Sequence, residues 1–243
     1  MEKGSNWNIT AWKRGLLVGI LGLAMVGMAA SIRGRQAEDD NSIDVLSDVS
    51  EKKEIQKQEP KKIALTFDDG PHKIYTEKLL DGLAERNVKA TFFLLGTNIE
   101  GKEDIVKRIA EEGHLIGNHT YYHVDITRLK QEEACKEILD TSESITEITG
   151  QPVEYVRPPF GNWDKELECE VMMIPIFWSV DTLDWTTGNV DQIVQKVVTD
   201  VEENDIILMH DSYDSTVKAA LRIIDLLQAE GYEFVTADEL ILE

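Results

Sequence analysis

From residue 60 to residue 243 the chain alternates short apolar runs with segments of helical period, and this alternation limits the folds it can adopt. The apolar runs lie at 63–67, 90–95, 114–118, 154–156, 176–180 and 206–209, with a shorter one near Phe234. Between them, 75–86, 103–112, 131–148, 190–201 and 217–230 place apolar residues three and four apart, as in Leu79, Leu80 and Leu83. Repeated strand–helix units imply a parallel sheet covered by helices, either a (β/α) barrel or a doubly wound sheet. In both, chemistry collects beyond the C-terminal ends of the strands. The stretch 162–175 is short for a complete helix between two strands and carries several charges, so local regularity is expected to fail there.

The residues before this body divide by charge. Residues 1–35 carry a balance of +4 and contain an 18-residue run without a charge, 15–32, flanked by Lys13, Arg14, Arg33 and Arg35. As a helix that run covers about 27 Å, enough for a bilayer core. A cleaved signal peptide also fits, but the length of the run and the basic residues behind it favour a retained transmembrane anchor with the body outside. Residues 36–59 carry −5 and no aromatic residue or glycine, as expected of a solvated tether. The expected organisation is therefore an anchor at 1–35, an acidic linker at 36–59 and a catalytic domain at 60–243.

The whole chain has 25 Lys and Arg against 46 Asp and Glu, a formal charge of −21, which makes nucleic acid a poor partner. Its 42% apolar content is enough for a packed core. Two cysteines, Cys135 and Cys169, are too few for a disulfide scaffold; one bridge and two separate buried thiols both fit.

Several chemically capable side chains fall at expected strand ends. Asp68 and Asp69 precede a Gly-Pro turn that can bring both carboxylates to one site, where like charges call for a metal or an Arg nearby. His119 and His123, four apart, lie on one face of a helical turn and can grip one metal ion, with a carboxylate from another strand end completing the set. His114 belongs to the same cluster of histidines. His210 ends the apolar run at 206–209, and Asp181, ending another, is placed to stabilise its imidazolium. Arg157 is placed to pair with and orient Asp68. Singly, each signal fits an ordinary turn, surface pair or core residue. Together they contain a metal site, a base, an acid and an orienting Arg, the parts of a metal-assisted hydrolase.

The runs TFDDG (66–70), HTYYH (119–123), RPPFG (157–161), DTLDW (181–185) and LMH (208–210) resemble, in order, the five motifs of the NodB-homology polysaccharide deacetylases, carbohydrate esterase family 4. The resemblance covers nearly all of 62–240. It implies an α/β fold, a distorted (β/α) barrel of seven or eight strands, and a divalent metal, usually Zn²⁺ with Co²⁺ or Ni²⁺ as alternatives, held by Asp69, His119 and His123. It also implies Asp68 as base, Arg157 as its tether, His210 as acid with Asp181 behind it, and water activated at the metal as nucleophile. Phe160, through its backbone N–H, is implied as an oxyanion donor, and Trp185 and Leu208 as the apolar wall around the acetyl group. Family members usually have Tyr where this chain has Phe160; if the backbone N–H is what contributes, the hydroxyl is dispensable.

The expected function is N-deacetylation of N-acetylglucosamine units in a cell-wall glycan, peptidoglycan before chitin oligomers, poly-N-acetylglucosamine or acetylxylan. The expected partners are that glycan and, through the N-terminal helix, the cell membrane, with the enzyme a monomer facing outward, or secreted if the N-terminal segment is cleaved. A catalytically silent, membrane-tethered glycan-binding protein is the competing reading, and a metal-dependent amidase or esterase for a small substrate is a third. Intact base, acid and metal-ligand residues argue against the silent form, since a binding module needs none of them together.

Overall fold

Strand β1 (Lys61–Gly70) is the axis of the fold: residues 63–68 are buried, and it pairs in parallel with β2 (Thr91–Leu94), β7 (Ile206–His210) and, at its start, β8 (Tyr232–Phe234). The computed structural model describes residues 60–242 other than 168, 170 and 171. The proposed anchor and linker, 1–59, lie outside the described residues, and among the described residues no helix is long and apolar enough to cross a membrane. Beyond β2 the sheet continues through β3 (Leu115–Asn118), β4 (Tyr155–Val156) and β5 (Ile174–Pro175), and beyond β7 it ends at β6 (Val180–Asp181). All pairings are parallel. Among the described residues nothing pairs β5 with β6, so the sheet is a distorted parallel half-barrel, not a closed ring.

Burial on both faces explains the sequence of the central strands. Thr91-Phe92-Phe93-Leu94 is buried throughout, as a strand covered on two sides must be. Helices α1 (Tyr75–Glu85), α2 (Glu103–Glu111), α3 (Gln131–Thr149), α4 (Val190–Asp200) and α5 (Asp214–Ala229) turn an apolar stripe towards it, with Leu79, Ile109, Ile138, Ile193 and Ile223 in one core cluster. A sixth helix, α6 (Ala237–Ile241), is too short to show a period in the sequence.

One expected strand is absent as such. Of the run at 176–180, residues 176–179 connect the two-residue strands β5 and β6 and only Val180 joins the ladder, so the apolar pattern reflects mainly the burial of Ile176. The stretch at 162–173 contains no helix among its described residues. It is tied down covalently instead, by a disulfide between Cys135 on α3 and Cys169, with Cα atoms 5.4 Å apart.

The bridge closes a loop of sequence separation 34. Removing it as the pair Cys135→Ser and Cys169→Ser should lower the unfolding free energy by about 2–4 kcal/mol through loop-closure entropy. Urea unfolding of the variant beside the oxidised parent chain checks this.

Candidate active site

The site forms where β1, β3, β4 and β7 end. In β1 the pairing register with β2 shifts between Asp68 and Gly70, and Asp69 takes a left-handed φ of 69°. This irregularity breaks the alternation of faces, so both Asp68 and Asp69 line one cavity of about 410 Å³, as the Gly-Pro turn led us to expect.

Asp68 is fixed by Arg157. The fully buried guanidinium donates from Nη1 to Asp68 Oδ1 at 2.9 Å and to Thr66 Oγ1 at 2.6 Å. Its Nε donates to the Ile176 carbonyl at 3.2 Å and its Nη2 to the Phe177 carbonyl at 3.1 Å. It also lies 4.2 Å from the ring centre of Phe93. Burial pulls the Arg157 pKa down while Asp68 raises it. With Oδ1 engaged, Asp68 Oδ2 lies 3.7 Å from His119 Nε2.

Asp69, His119 and His123 converge as a ligand set. Asp69 Oδ1 lies 3.6 Å from Nε2 of each histidine and, though buried, has no hydrogen-bond partner. An orphaned carboxylate oxygen facing two imidazole nitrogens fits a divalent cation by its donor chemistry. His119 Nδ1 lies 2.6 Å from the Arg157 carbonyl, which can only accept, so the proton sits on Nδ1 and the lone pair of Nε2 faces Asp69. Burial lowers the His119 pKa against the opposing pull of Asp68 and Asp69, which favours the neutral form a ligand needs.

The two histidines do not share a helical turn. Residues 119–123 form a loop in which Thr120 and His123 have φ of 67° and 55°, and that loop brings the rings to 5.0 Å. His114 does not join them. It stands at the opposite end of β3, buried, accepting from the Ala90 N–H at 3.1 Å, with burial pushing its pKa down to about 4.

His210 sits beside Asp68, its register partner across β1 and β7. Its partner carboxylate is Asp184, not Asp181. Asp184 Oδ1 accepts from His210 Nδ1 at 2.8 Å, and Oδ2 accepts from the His210 N–H at 2.8 Å and from Thr216 Oγ1 at 2.7 Å. Asp181 instead accepts from the Leu183 N–H at 2.9 Å and faces the cavity rim. The reason is local: Leu183 adopts a left-handed φ of 56°, which folds the chain after β6 back so that Asp184 is buried under the imidazole. Burial opposes a charge on His210, but the bond to Asp184, with its charge and those of Asp68 and Asp69, outweighs this and raises the pKa to about 9. Asp184 is held below the usual carboxylate range against its own burial, by the bond to His210.

Phe160, Trp185 and Leu208 line the same cavity. Phe160 has a left-handed φ of 62°, and its exposed ring meets His123 edge-on at 4.9 Å. Trp185 is exposed at the rim and Leu208 buried at the floor. Sequence reasoning missed Asp184, Trp178 and Tyr213, all of which contribute here. Asp184 had a signal in its neighbour Trp185; the other two are aromatic residues without distinctive spacing.

Comparison with known proteins agrees with this geometry. The sequence profile of the family described as polysaccharide deacetylase matches residues 55–172. A peptidoglycan-N-acetylglucosamine deacetylase, PgdA, of Listeria monocytogenes is 41% identical over 180 residues, 74% of this chain and 39% of its own length. The chain thus spans about two fifths of that relative. A chitooligosaccharide deacetylase of Rhizobium leguminosarum bv. trifolii is 37% identical over 188 residues, 70% of this chain and 87% of its own. The structure of the peptidoglycan deacetylase PdaC from Bacillus subtilis superposes with a TM-score of 0.72 at 39% identity, covering 75% of this chain and 90% of that one.

The Asp184–His210 pair makes stability pH-dependent. A histidine raised from 6.5 to about 9 contributes its full stabilisation below pH 6.5 and loses it as pH rises through 9. In the metal-free protein, Asp184→Asn should bring the His210 pKa down and remove most of this slope, on the order of 2–3 kcal/mol. Imidazole NMR titration and urea unfolding at pH 6.5 and 9.5 check both.

Proposed function

Because this chain belongs to the polysaccharide deacetylase family, we propose that its site hydrolyses the acetamide of N-acetylglucosamine units in a cell-wall glycan, peptidoglycan first, releasing acetate. One observation carries the reading: a buried, unpartnered Asp69 oxygen facing two histidines, in the same cavity as a carboxylate held by Arg157 and an imidazole held by Asp184.

Asp69, His119 and His123 are the residues that would hold a divalent metal, Zn²⁺ before Co²⁺ or Ni²⁺. A cation bound there supplies Lewis acidity towards the acetamide carbonyl and makes water a better nucleophile. Asp68, with Oδ1 held by Arg157, keeps Oδ2 free to take the proton of the attacking water. The Phe160 N–H is assigned to the oxyanion that develops on the carbonyl. His210, protonated at neutral pH and oriented through Nδ1 by Asp184, presents Nε2 to the departing nitrogen and delivers its proton. Trp185 and Leu208 surround the methyl group. The products are acetate and a free amine on the sugar. All these residues come from one chain, which suits a monomer.

We assign residues 1–35 to a membrane anchor, 36–59 to an acidic spacer and 60–243 to the catalytic domain outside the membrane. The charge-free run 15–32 between basic flanks supports this placement, which brings the site to the wall. The name of the Listeria relative favours peptidoglycan; that of the Rhizobium relative keeps chitin oligomers as the comparison substrate.

The purified chain, loaded in turn with Zn²⁺, Co²⁺ and Ni²⁺, should release acetate from intact peptidoglycan faster than from chitin oligomers or acetylxylan. Chelation should abolish the activity and added metal restore it. Silence on every substrate with every metal would sink the enzymatic reading. Asp69→Ala should lose metal, whereas Asp68→Asn should keep metal and lose about 10²–10⁴-fold in turnover; equal metal loss in both would overturn the division of roles.

A further inference from the structure

The loop that carries both histidines is held in a conformation its own residues disfavour. Left-handed backbone at Thr120 and His123 is disfavoured for residues other than glycine, so surrounding contacts must impose it. Some of those contacts come from the strand ends. The Gly96 N–H donates to the Thr120 carbonyl and the Thr97 N–H to the Tyr121 carbonyl, each at 3.1 Å, and the Thr120 N–H donates to Asn118 Oδ1 at 2.7 Å. Gly96 is required on this side, since a Cβ there would fall 2.3 Å from the Tyr121 ring.

The remaining restraint comes from α3. The N–H groups of Tyr121 and Tyr122 converge on one oxygen, Glu137 Oε2, at 2.9 and 2.8 Å. Two successive amides around one carboxylate oxygen make a small anion-binding nest, and a charged acceptor strengthens both bonds. The same helix receives Asn118 Nδ2 at the Ile138 carbonyl and at Ser142 Oγ, 2.7 and 2.9 Å away, so it grips the loop at its entry and its middle.

We propose that Glu137 is a positioning residue of the metal site. It fixes the backbone between His119 and His123 so that both Nε2 atoms meet Asp69. It touches neither metal nor substrate, and the inference rests on reading Asp69, His119 and His123 as metal ligands.

The test measures Zn²⁺ affinity of the metal-free protein by chelator competition for the parent chain, Glu137→Ala and Glu137→Gln. Hydrogen exchange at the Tyr121 and Tyr122 amides and kcat at saturating Zn²⁺ are measured alongside. Glu137→Ala should weaken Zn²⁺ binding about 10–100-fold and speed exchange of both amides, while saturating metal restores most of kcat. Glu137→Gln, which keeps an acceptor oxygen without the charge, should fall between the two. A parent chain that binds no Zn²⁺ would overturn the metal reading itself. A parent that binds, with both variants binding equally well, would overturn only the role of Glu137. A Glu137→Ala variant with a lowered Tm and unchanged affinity would also overturn it, leaving a general structural contact.

Discussion

A guanidinium removed from water must find acceptors inside the protein, and Arg157, fully buried, finds them in separate parts of the fold. Its side chain joins Asp68 and Thr66 on β1 to the carbonyls of Ile176 and Phe177, in the connection between β5 and β6 where the sheet has no ladder to close it. Its own carbonyl sets the tautomer of His119. One residue therefore orients the proposed base, prepares a proposed metal ligand and spans the open side of the half-barrel. Losing either member of the Arg157–Asp68 pair would strand a buried charge, with consequences for stability and site geometry at once.

The same logic explains why some of this was legible in the sequence and some was not. The buried strands could be read because a strand covered on both faces has to be apolar, and β1, β2 and β7 lie where their apolar runs are. Strand ends then acted as a filter for Asp68, Asp69, His119, Arg157 and His210, since a parallel sheet delivers all its C-terminal ends to one side. What failed was geometry that depends on single left-handed residues. The spacing of His119 and His123 suggested a helical turn, yet a loop with left-handed Thr120 and His123 achieves the same convergence. Asp181 satisfied the strand-end filter, but the reversal at Leu183 hands the imidazole to Asp184. No period or composition encodes such a reversal at a leucine.

Supports that lie far off in sequence were equally hidden. Glu137 is one of many acidic residues on a helix with an acidic surface, and nothing in its spacing marks it. Its partners are backbone amides, which leave no side-chain signature to find. Cys135, two residues earlier, anchors the irregular stretch that follows Phe160. Helix α3 thus supports the histidine loop through Glu137 and Asn118 and restrains the neighbouring segment through the disulfide.

Charge matching within the site completes the argument. Asp68 is paired with Arg157 and Asp184 with His210, each at hydrogen-bond distance, so two of the carboxylates nearest the chemistry have a cationic partner of their own. Asp69 has none. Its Oδ1 is buried without a hydrogen bond, and the two imidazole Nε2 atoms, each 3.6 Å from that oxygen, are too far for one. A buried acceptor left in this way is costly unless something satisfies it. Asp69 Oδ1 and the two Nε2 lone pairs are all electron-pair donors, so a divalent cation can be held by the three atoms together. The proposed base and the proposed acid are thus each matched by a side chain of the protein, whereas the unpartnered oxygen of Asp69 faces the two imidazoles of the proposed metal site.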